Sequence, residues 1–206
     1  MSLYEKYVLP KFLNCACGSK PISYQRKKVV PMAEGKVLEI GIGSGLNLPF
    51  YDKSKLDELW GLDPSEGLSE MAKQVADEEA MEVNFISAGA EEIPLPDNHF
   101  DSVLVTYTMC TIPEVDRANK EIQRVLKSNG KMIFCEHGLA PDINIKKWQN
   151  RINPFWKKLA GGCNINRNIP SVIQESGFDI IDLEEMYLPS TPKIAGYNYW
   201  GYAVSK

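Results

Sequence analysis

The sequence has few of the residues that build disulfide-rich or metal-centred proteins. Its 206 residues include only five cysteines, an odd number, and two histidines, His99 and His137, which lie far apart. A disulfide framework is therefore not expected, and a reducing compartment is favoured. Cys15 and Cys17 have no second close Cys/His pair to complete a structural zinc site, so no metal is predicted.

Long apolar runs and excess positive charge are also absent. No run approaches the ~18–20 residues of a membrane span, and the N-terminus lacks the apolar stretch of a signal peptide. The formal net charge is −4, so there is no overall basic field to attract nucleic acid. With 44% hydrophobic and 24% charged residues, the composition is that of a globular protein. These observations predict a soluble, cytoplasmic protein with no nucleic-acid partner, and they leave its oligomeric state open.

Short apolar runs alternate with helical patterns along the centre of the chain, which is typical of βαβ units around a parallel sheet. The pattern predicts strands at 36–40, 56–62, 81–86, 100–106 and 131–135, with helices at 67–79 and 114–126. Two further apolar runs, 178–184 and 195–204, predict a closing antiparallel hairpin. The sequence therefore predicts an α/β fold with a doubly wound, mostly parallel sheet.

The segment 143–174 differs from this pattern because it carries six Lys/Arg residues and no acid. Asn153 and Pro154 predict a break between two short helices, with Asn153 as the N-cap of the second. Trp148, Phe155 and Trp156 beside the cations fit an interfacial amphipathic helix, with peripheral membrane contact through 143–160. They also fit an ordinary helix with a solvated charged face, which is the favoured interpretation.

The strongest ligand-binding signal is VLEIGIGSG at residues 37–45, where a buried strand leads into Gly41, Gly43 and Gly45. Glycines allow a sharp turn and a close approach of backbone to a ligand. A dinucleotide fingerprint needs a further glycine at position 46, which is Leu46 here, so a dehydrogenase is disfavoured and a nucleoside without a pyrophosphate is favoured. The alternative is a tight strand-to-helix turn without a ligand.

The second signal is Asp63, which ends the second apolar run 18 residues after Gly45. Ligands of open α/β sheets lie at the carboxyl ends of the strands, where a carboxylate can accept hydrogen bonds from both ribose hydroxyls. The competing interpretation is a helix N-cap, since Pro64 follows and a helix begins soon afterwards.

These motifs, followed by AGAEEIPLPDNHFDSVLVT and EIQRVLKSNGKMIFCEHG, resemble class I S-adenosylmethionine-dependent methyltransferases with a type 11 methyltransferase domain. The resemblance covers residues 35–138. It implies a Rossmann-like sheet of seven strands with helices on both faces, and S-adenosylmethionine as methyl donor, with S-adenosylhomocysteine as product. It also implies one domain, in which 1–34 form a helical cap, 35–138 the cofactor core, and 139–206 the acceptor-side helices and hairpin.

The same resemblance assigns residues to the cofactor. Glu39, Gly41, Gly43 and Gly45 would lie on the methionine side, Asp63 at the ribose, and Ala90, Glu91 and Thr106 at the adenine. Many members have an acid just before the Ala-Glu pair, where this chain has Gly89. The adenine amino group would then be contacted by Glu91 or by backbone.

The flanking segments resemble the group that includes small-thiol methyltransferases. The residues that carry this narrower resemblance are Cys110, Glu136, His137, Cys163, Asn164 and Arg167. It implies that the acceptor is a small or lipophilic thiol, and that His137 either removes its proton or only shapes the pocket. Phospholipids and quinone precursors are alternative acceptors, and a non-catalytic S-adenosylmethionine-binding protein is an alternative of another class.

Cysteines allow one more alternative, because several thiolates can bind a trivalent metalloid such as arsenite. Cys15, Cys17, Cys110 and Cys163 are the candidates, if the fold brings them together. Cys135 lies inside a predicted strand and is expected to be a buried packing residue.

Overall fold

The computed structural model describes Asn14 and residues 17–206, and in this part of the chain seven strands form one sheet. They are β1 (Gly35–Ile40), β2 (Leu56–Leu62), β3 (Asn84–Ile86), β4 (Phe100–Thr106), β5 (Leu126–His137), β6 (Phe178–Tyr187) and β7 (Tyr197–Ser205). Their spatial order is β3-β2-β1-β4-β5-β7-β6. The first five run parallel, and β7 is antiparallel to both β5 and β6. The predicted fold class, with its C-terminal hairpin, is confirmed.

Helices cover both faces of this sheet. They are α1 (Lys20–Val29), α2 (Glu66–Glu78), α3 (Val115–Val125), α4 (Ile143–Leu159) and α5 (Ile169–Glu175), with single 3₁₀ turns at Val30–Met32, Leu48–Phe50 and Lys53–Lys55. Successive strand side chains point to opposite faces. One apolar layer therefore joins the central strands to α1 and α2 through Val37, Leu104, Ile133, Val29 and Ala72. The other joins them to α3 and α5 through Leu38, Val103, Met132, Ile122 and Ile173.

The predicted break at Asn153 and Pro154 is wrong, because α4 runs unbroken through both residues. Pro154 and Asn150, whose carbonyl would have accepted the missing N–H, are both exposed, so water can satisfy that carbonyl. The Asn153 side chain does not cap a helix; its Oδ1 accepts a hydrogen bond from the Ile165 N–H at 3.0 Å. The chain still forms two helices here, but they are separated at residues 160–168.

Several strand boundaries differ from the prediction, and β3 and β5 show that strand pairing does not begin where the apolar run begins. β3 is confined to Asn84–Ile86, while Met81 and Val83 pack against the core before the strand begins. β5 begins at Leu126, which pairs with Phe100, and after an irregularity the pairing resumes at Lys131. The polar residues between those two points hid this early start.

The helix α4 has two different faces. Trp148 and Phe155 are exposed on the outside, with the Arg151 guanidinium 5.8 Å from the centre of the Trp148 ring. On the inside, the fully buried Gln149 accepts a hydrogen bond from the Ala140 N–H, and its two side-chain N–H groups, one of them shared, donate to the carbonyls of residues 138, 165 and 194. Among the described residues, no helix has the length and apolar character to traverse a bilayer. Membrane contact through 143–160 stays a prediction.

The predicted helical cap over 1–34 lies partly outside the described residues. Its described part is α1 with the following 3₁₀ turn, and Cys15 also lies outside. The face that α1 turns to the sheet buries Gln25, Arg26 and Val29. This helix therefore brings a charged side chain to the carboxyl ends of the central strands.

Candidate functional site

A cavity of about 340 Å³ opens at the carboxyl ends of β1, β2, β4 and β5. One side is formed by the glycine turn after β1 and by Asp63 after β2. The loop after β4, which includes Cys110, and His137 at the end of β5 form the other side. Trp156 of α4 and Arg26 of α1 complete the walls. This is the edge at which open α/β sheets bind ligands.

The three glycines of the turn are required for two different reasons, although all have positive φ. A Cβ on Gly41 would lie 2.4 Å from Cγ2 of Thr108, and one on Gly45 would lie 3.1 Å from Cα of Ala72 in α2. These two glycines allow close packing of protein on protein. A Cβ on Gly43 would have nothing nearer than a carbonyl oxygen at 3.8 Å. Gly43 therefore leaves open the space into which its backbone faces.

Asp63 links the turn to the second strand. Its Oδ2 accepts a hydrogen bond from the Gly43 N–H at 3.0 Å, and its Oδ1 accepts one from the Ser65 N–H at 2.8 Å. Burial raises the pKa of Asp63, and the two N–H groups offset part of that rise. The N-cap of α2 is Ser65, whose Oγ accepts a hydrogen bond from the Leu68 N–H. The competing cap role thus belongs to Ser65, and Asp63 lines the cavity.

Glu39 lies beneath the glycine turn and does not line the cavity. Its carboxylate accepts hydrogen bonds from Nδ2 of Asn47 at 2.8 Å and from the Tyr51 hydroxyl at 2.7 Å. Burial raises the pKa of Glu39 to about 7. Nδ2 of Asn47 also donates to Oγ1 of Thr106 at 2.9 Å, so these side chains tie the turn to the end of β4.

Arg26 is the cavity residue that the sequence reasoning missed. Its side chain is buried, and Nη1 donates to Oδ1 of Asn47 at 2.6 Å and to Oγ1 of Thr106 at 2.7 Å. Its Nε is buried without a hydrogen-bond partner, and among the described residues no carboxylate lies within ion-pairing distance. Buried charges are normally paired, so this guanidinium is suited to an anionic group in the cavity. Residues 1–35 carry six Lys/Arg and only two acids, and this excess of cations was the available signal, but it did not single out Arg26.

Three other predicted cofactor residues do not line this cavity. Gly45 packs against α2, and Ala90 is buried in the apolar layer on the α3 side of the sheet. Oε1 of Glu91 accepts a hydrogen bond from the Glu114 N–H, just before α3 begins. Thr106, by contrast, lies in the cavity wall. The contacts to the adenine stay a prediction.

On the opposite side of the cavity, Cys110, His137 and Cys163 converge from three separate segments. Their thiol sulfurs and an imidazole nitrogen all lie within 4.8 Å of one another, and Sγ of Cys163 is 3.3 Å from Nε2 of His137. The Cys110 thiol beside it lowers the pKa of Cys163, burial opposes this, and His137 lowers it further. Burial tends to lower the pKa of His137, but Cys163 and Glu136 outweigh it and raise that pKa.

The remaining acceptor-side residues hold the loop after β4 in place and do not line the cavity. Oε1 of Glu136 accepts the N–H groups of Thr108 and Met109 at 2.7 and 3.0 Å. Nη1 of Arg167 donates to the carbonyls of residues 109 and 112. Nδ2 of Asn164 donates to the Cys110 carbonyl at 2.9 Å, which joins the two cysteine-bearing loops. All three are therefore positioned to orient Cys110.

The other cysteines take different positions. Cys17 lines the same cavity but lies outside the group formed by Cys110, His137 and Cys163. Cys135 is fully buried in β5, as predicted, with its sulfur 3.5 Å from the Tyr107 hydroxyl. Cys15 lies outside the described residues, so its predicted convergence with the others stays a prediction.

Comparisons with known proteins agree with the fold and with the family resemblance. A family of proteins described as having a methyltransferase domain matches residues 38–134. Thiol S-methyltransferase TMT1B of Rattus norvegicus is 30% identical over 79% of this chain and 70% of its own length. Thiol S-methyltransferase TMT1A of Homo sapiens is 26% identical over 84% of this chain and 72% of its own. A solved S-adenosylmethionine-dependent methyltransferase of Aquifex aeolicus shares the fold, with a TM-score of 0.63 and 17% identity over 96% of this chain and 97% of that one.

Proposed function

Because this chain belongs to the family of S-adenosylmethionine-dependent methyltransferases, we propose that it methylates the sulfur of a small or lipophilic thiol. The observation that carries the proposal is that one cavity joins the open backbone of Gly43 to the thiol and imidazole groups of Cys110, His137 and Cys163. The apolar side chains of Trp156 and Ile165 in its wall suit the hydrocarbon part of an acceptor.

The cofactor side of the cavity fits S-adenosylmethionine on two features of this chain. Gly43 leaves space for a ligand that any side chain at this position would enter. The buried Arg26 guanidinium has a free Nε, and the carboxylate of the cofactor's amino-acid part can accept a hydrogen bond from it. When bound, the cofactor supplies an electrophilic methyl group on a sulfonium sulfur. Asp63 would accept hydrogen bonds from the ribose hydroxyls, since it lines the cavity and each of its oxygens, with one N–H donor, retains a free lone pair.

The acceptor side must deliver a thiolate, because the neutral thiol is a weak nucleophile. His137 is placed to act on the acceptor, since its ring lines the cavity beside Cys163. Glu136, Asn164 and Arg167 fix the backbone around Cys110, so the acceptor meets a preorganised wall. A preorganised wall limits motion of the acceptor away from the geometry in which its sulfur faces the methyl group.

The proposal is tested by measuring S-adenosylhomocysteine formation with matched acceptors. Alkyl thiols of increasing chain length should be methylated, with the thioether identified by mass spectrometry. Alcohols and amines of the same chain lengths are the control and should give no product. Methylation of phosphatidylethanolamine or of a quinol, with no thioether from any thiol, would contradict the proposal. Binding of S-adenosylhomocysteine without turnover on any acceptor would instead indicate a non-catalytic binding protein.

Arsenite is a second candidate acceptor, because Cys17, Cys110 and Cys163 all line the cavity. It is distinguished by adding arsenite in place of the thiol panel and detecting methylated arsenic. Cys17→Ser separates the two candidates: it should abolish arsenic methylation if three thiolates hold the metalloid, and leave transfer to alkyl thiols intact.

Asp63→Ala is expected to weaken binding of S-adenosylhomocysteine by about 100-fold or more. It removes two charge-assisted hydrogen bonds to the ribose, each worth about 1.5–3 kcal/mol. Isothermal titration calorimetry measures the change, with the exposed Asp97→Ala as matched control. The 2′-deoxy form of the ligand separates ribose contact from loss of the turn, because the variant should weaken it much less. If the variant loses the same affinity for both ligands, Asp63 holds the glycine turn in place but does not contact the ribose.

A further inference from the structure

Cys110, His137 and Cys163 form a compact set of soft ligands that the fold assembles from distant parts of the chain. Cys110 lies in the loop after β4, His137 ends β5, and Cys163 follows α4. Cys110 and Cys163 are buried, and all three ligand atoms lie within 4.8 Å of one another. Cysteine thiolates and histidine imidazole are the usual ligands of zinc in proteins, whereas magnesium and calcium take oxygen ligands.

We propose that these three side chains bind Zn²⁺ and leave a fourth position for the sulfur of the acceptor. This inference rests on the proposed function, because the fourth ligand is the acceptor thiol. Three protein ligands with one open position are characteristic of catalytic zinc sites, whereas structural sites have four protein ligands. The open position is available here because all three side chains line the cavity.

The distances suit a tetrahedral ion. Zinc bonds of about 2.3 Å to sulfur and about 2.0–2.1 Å to nitrogen place neighbouring ligand atoms about 3.5–3.8 Å apart. Sγ of Cys163 and Nε2 of His137 are 3.3 Å apart, and no pair in the group exceeds 4.8 Å. Small side-chain rotations therefore bring all three atoms into the coordination shell.

The surroundings hold the ligands in place, as the neighbours of metal ligands commonly do. The Asn164 N–H and its side-chain amide both donate to the Cys110 carbonyl at 2.9 Å, which fixes one thiol-bearing loop on the other. The Trp156 indole N–H is buried with no hydrogen-bond partner among the described residues. Trp156 also packs against the buried cluster that contains Cys110 and Cys163, so it limits the motion of both thiol-bearing loops.

The ion would perform the deprotonation that thiol methylation needs. Two thiolates and a neutral imidazole cancel the charge of Zn²⁺, and an entering thiol loses its S–H proton to water as its sulfur coordinates. The coordinated thiolate then forms a bond to the methyl carbon while the bond from that carbon to the sulfonium sulfur breaks. The products are a neutral thioether, which is a poorer zinc ligand, and S-adenosylhomocysteine.

A zinc ligand and a general base would use the same lone pair of His137. The zinc proposal therefore replaces the base role predicted for this residue, and the two can be separated by experiment. The three ligands are dispersed along the sequence, so their spacing did not indicate a metal site. Cys17, whose spacing to Cys15 is close, lies outside this group.

Cobalt(II) is the probe for binding, because it takes the same ligands as zinc and absorbs light. The full-length chain, reduced and freed of metal, should bind one Co²⁺ with thiolate-to-cobalt charge-transfer absorption and visible bands typical of a tetrahedral site, and Zn²⁺ should displace it. Cys110→Ser and Cys163→Ser should each remove about half of the charge-transfer intensity and weaken binding more than 100-fold. Cys135→Ser, which removes a buried thiol elsewhere, is the matched control.

An alkyl thiol added to the cobalt-loaded chain should change the visible bands, because it occupies the open position. The inference is overturned if cobalt binds with less than one equivalent, or if both cysteine variants bind it like the control. Thiol methylation that persists undiminished in metal-free protein would also overturn it, leave the proposed function intact, and return His137 to the role of base. Cobalt binding in a chain that methylates no thiol would overturn the catalytic role of the ion and the proposed function together.

Discussion

Arg26→Met is expected to weaken binding of S-adenosylhomocysteine by about 100-fold or more. The guanidinium is buried beside the cavity with a free Nε and no carboxylate partner among the described residues. Two charge-assisted hydrogen bonds to the ligand carboxylate would be worth about 1.5–3 kcal/mol each. Methionine retains an unbranched apolar chain but provides neither charge nor donors, and titration calorimetry measures the loss.

A ligand that lacks the carboxylate shows whether the loss arises from that contact. The decarboxylated analogue of S-adenosylhomocysteine should bind the wild-type chain weakly and lose little more in the variant. Lys27→Met, on the exposed face of the same helix, is the matched control and should bind like the wild type. Thermal unfolding of each variant checks that the chain is folded. Equal wild-type affinity for the two ligands would show that Arg26 does not contact the carboxylate.

Gly43→Val should abolish measurable binding of the same ligand, a loss of at least about 1000-fold, while the chain stays folded. The Cβ of the added side chain would have no protein atom nearer than the Gly41 carbonyl oxygen at 3.8 Å, and Gly43 lines the cavity that the side chain would enter. The backbone strain of a non-glycine residue at positive φ costs about 1–2 kcal/mol, which is small beside the stability of a typical domain.

Two further variants make this result specific. Gly43→Asn fills the same space with a residue that tolerates positive φ, so it should lose binding with less loss of stability. Gly67→Val places a side chain at an exposed glycine with open space around it, and binding should remain within a few-fold of wild type. If either Gly43 variant binds S-adenosylhomocysteine with micromolar affinity, the glycine turn is not part of the cofactor site.

The elements that the sequence predicted best are those whose signal is local. The bounds of β2 and β4 coincide with the predicted ranges, because β4 is buried along almost its whole length and β2 is apolar and mostly buried in its second half. The location of the glycine turn and of Asp63 at the cavity was predictable for a related reason. Both directly follow a strand, and the carboxyl ends of parallel strands lie at one edge of the sheet. β5 was partly missed because its first residues are polar.

What the sequence could not supply depends on contacts between distant segments. The convergence of Cys110 and Cys163 is set by the crossing of two loops, which no spacing encodes. Glu136 was expected to face the acceptor, yet its buried carboxylate accepts backbone N–H groups of the neighbouring loop. Asn153 and Pro154 suggested a break between two helices, but the exposure of Pro154 and Asn150 made the missing hydrogen bond inexpensive. In each case tertiary surroundings decided between two locally reasonable interpretations.

The buried amide of Gln149 affects how α4, whose Trp156 lines the cavity, can separate from the rest of the protein. Its four hydrogen bonds join α4 to the segments around residues 138–140, 165 and 194. If α4 separates from only one of these segments, a buried polar group loses its hydrogen-bond partner, at a cost of about 1–3 kcal/mol. If α4 separates from all of them together, water can replace the lost partners. Partial openings are therefore disfavoured, and the wall that includes Trp156 detaches as a cooperative unit or remains shut. Entry and exit past this helix would then be rare, all-or-none events, slow compared with the rotamer changes of its exposed aromatic side chains.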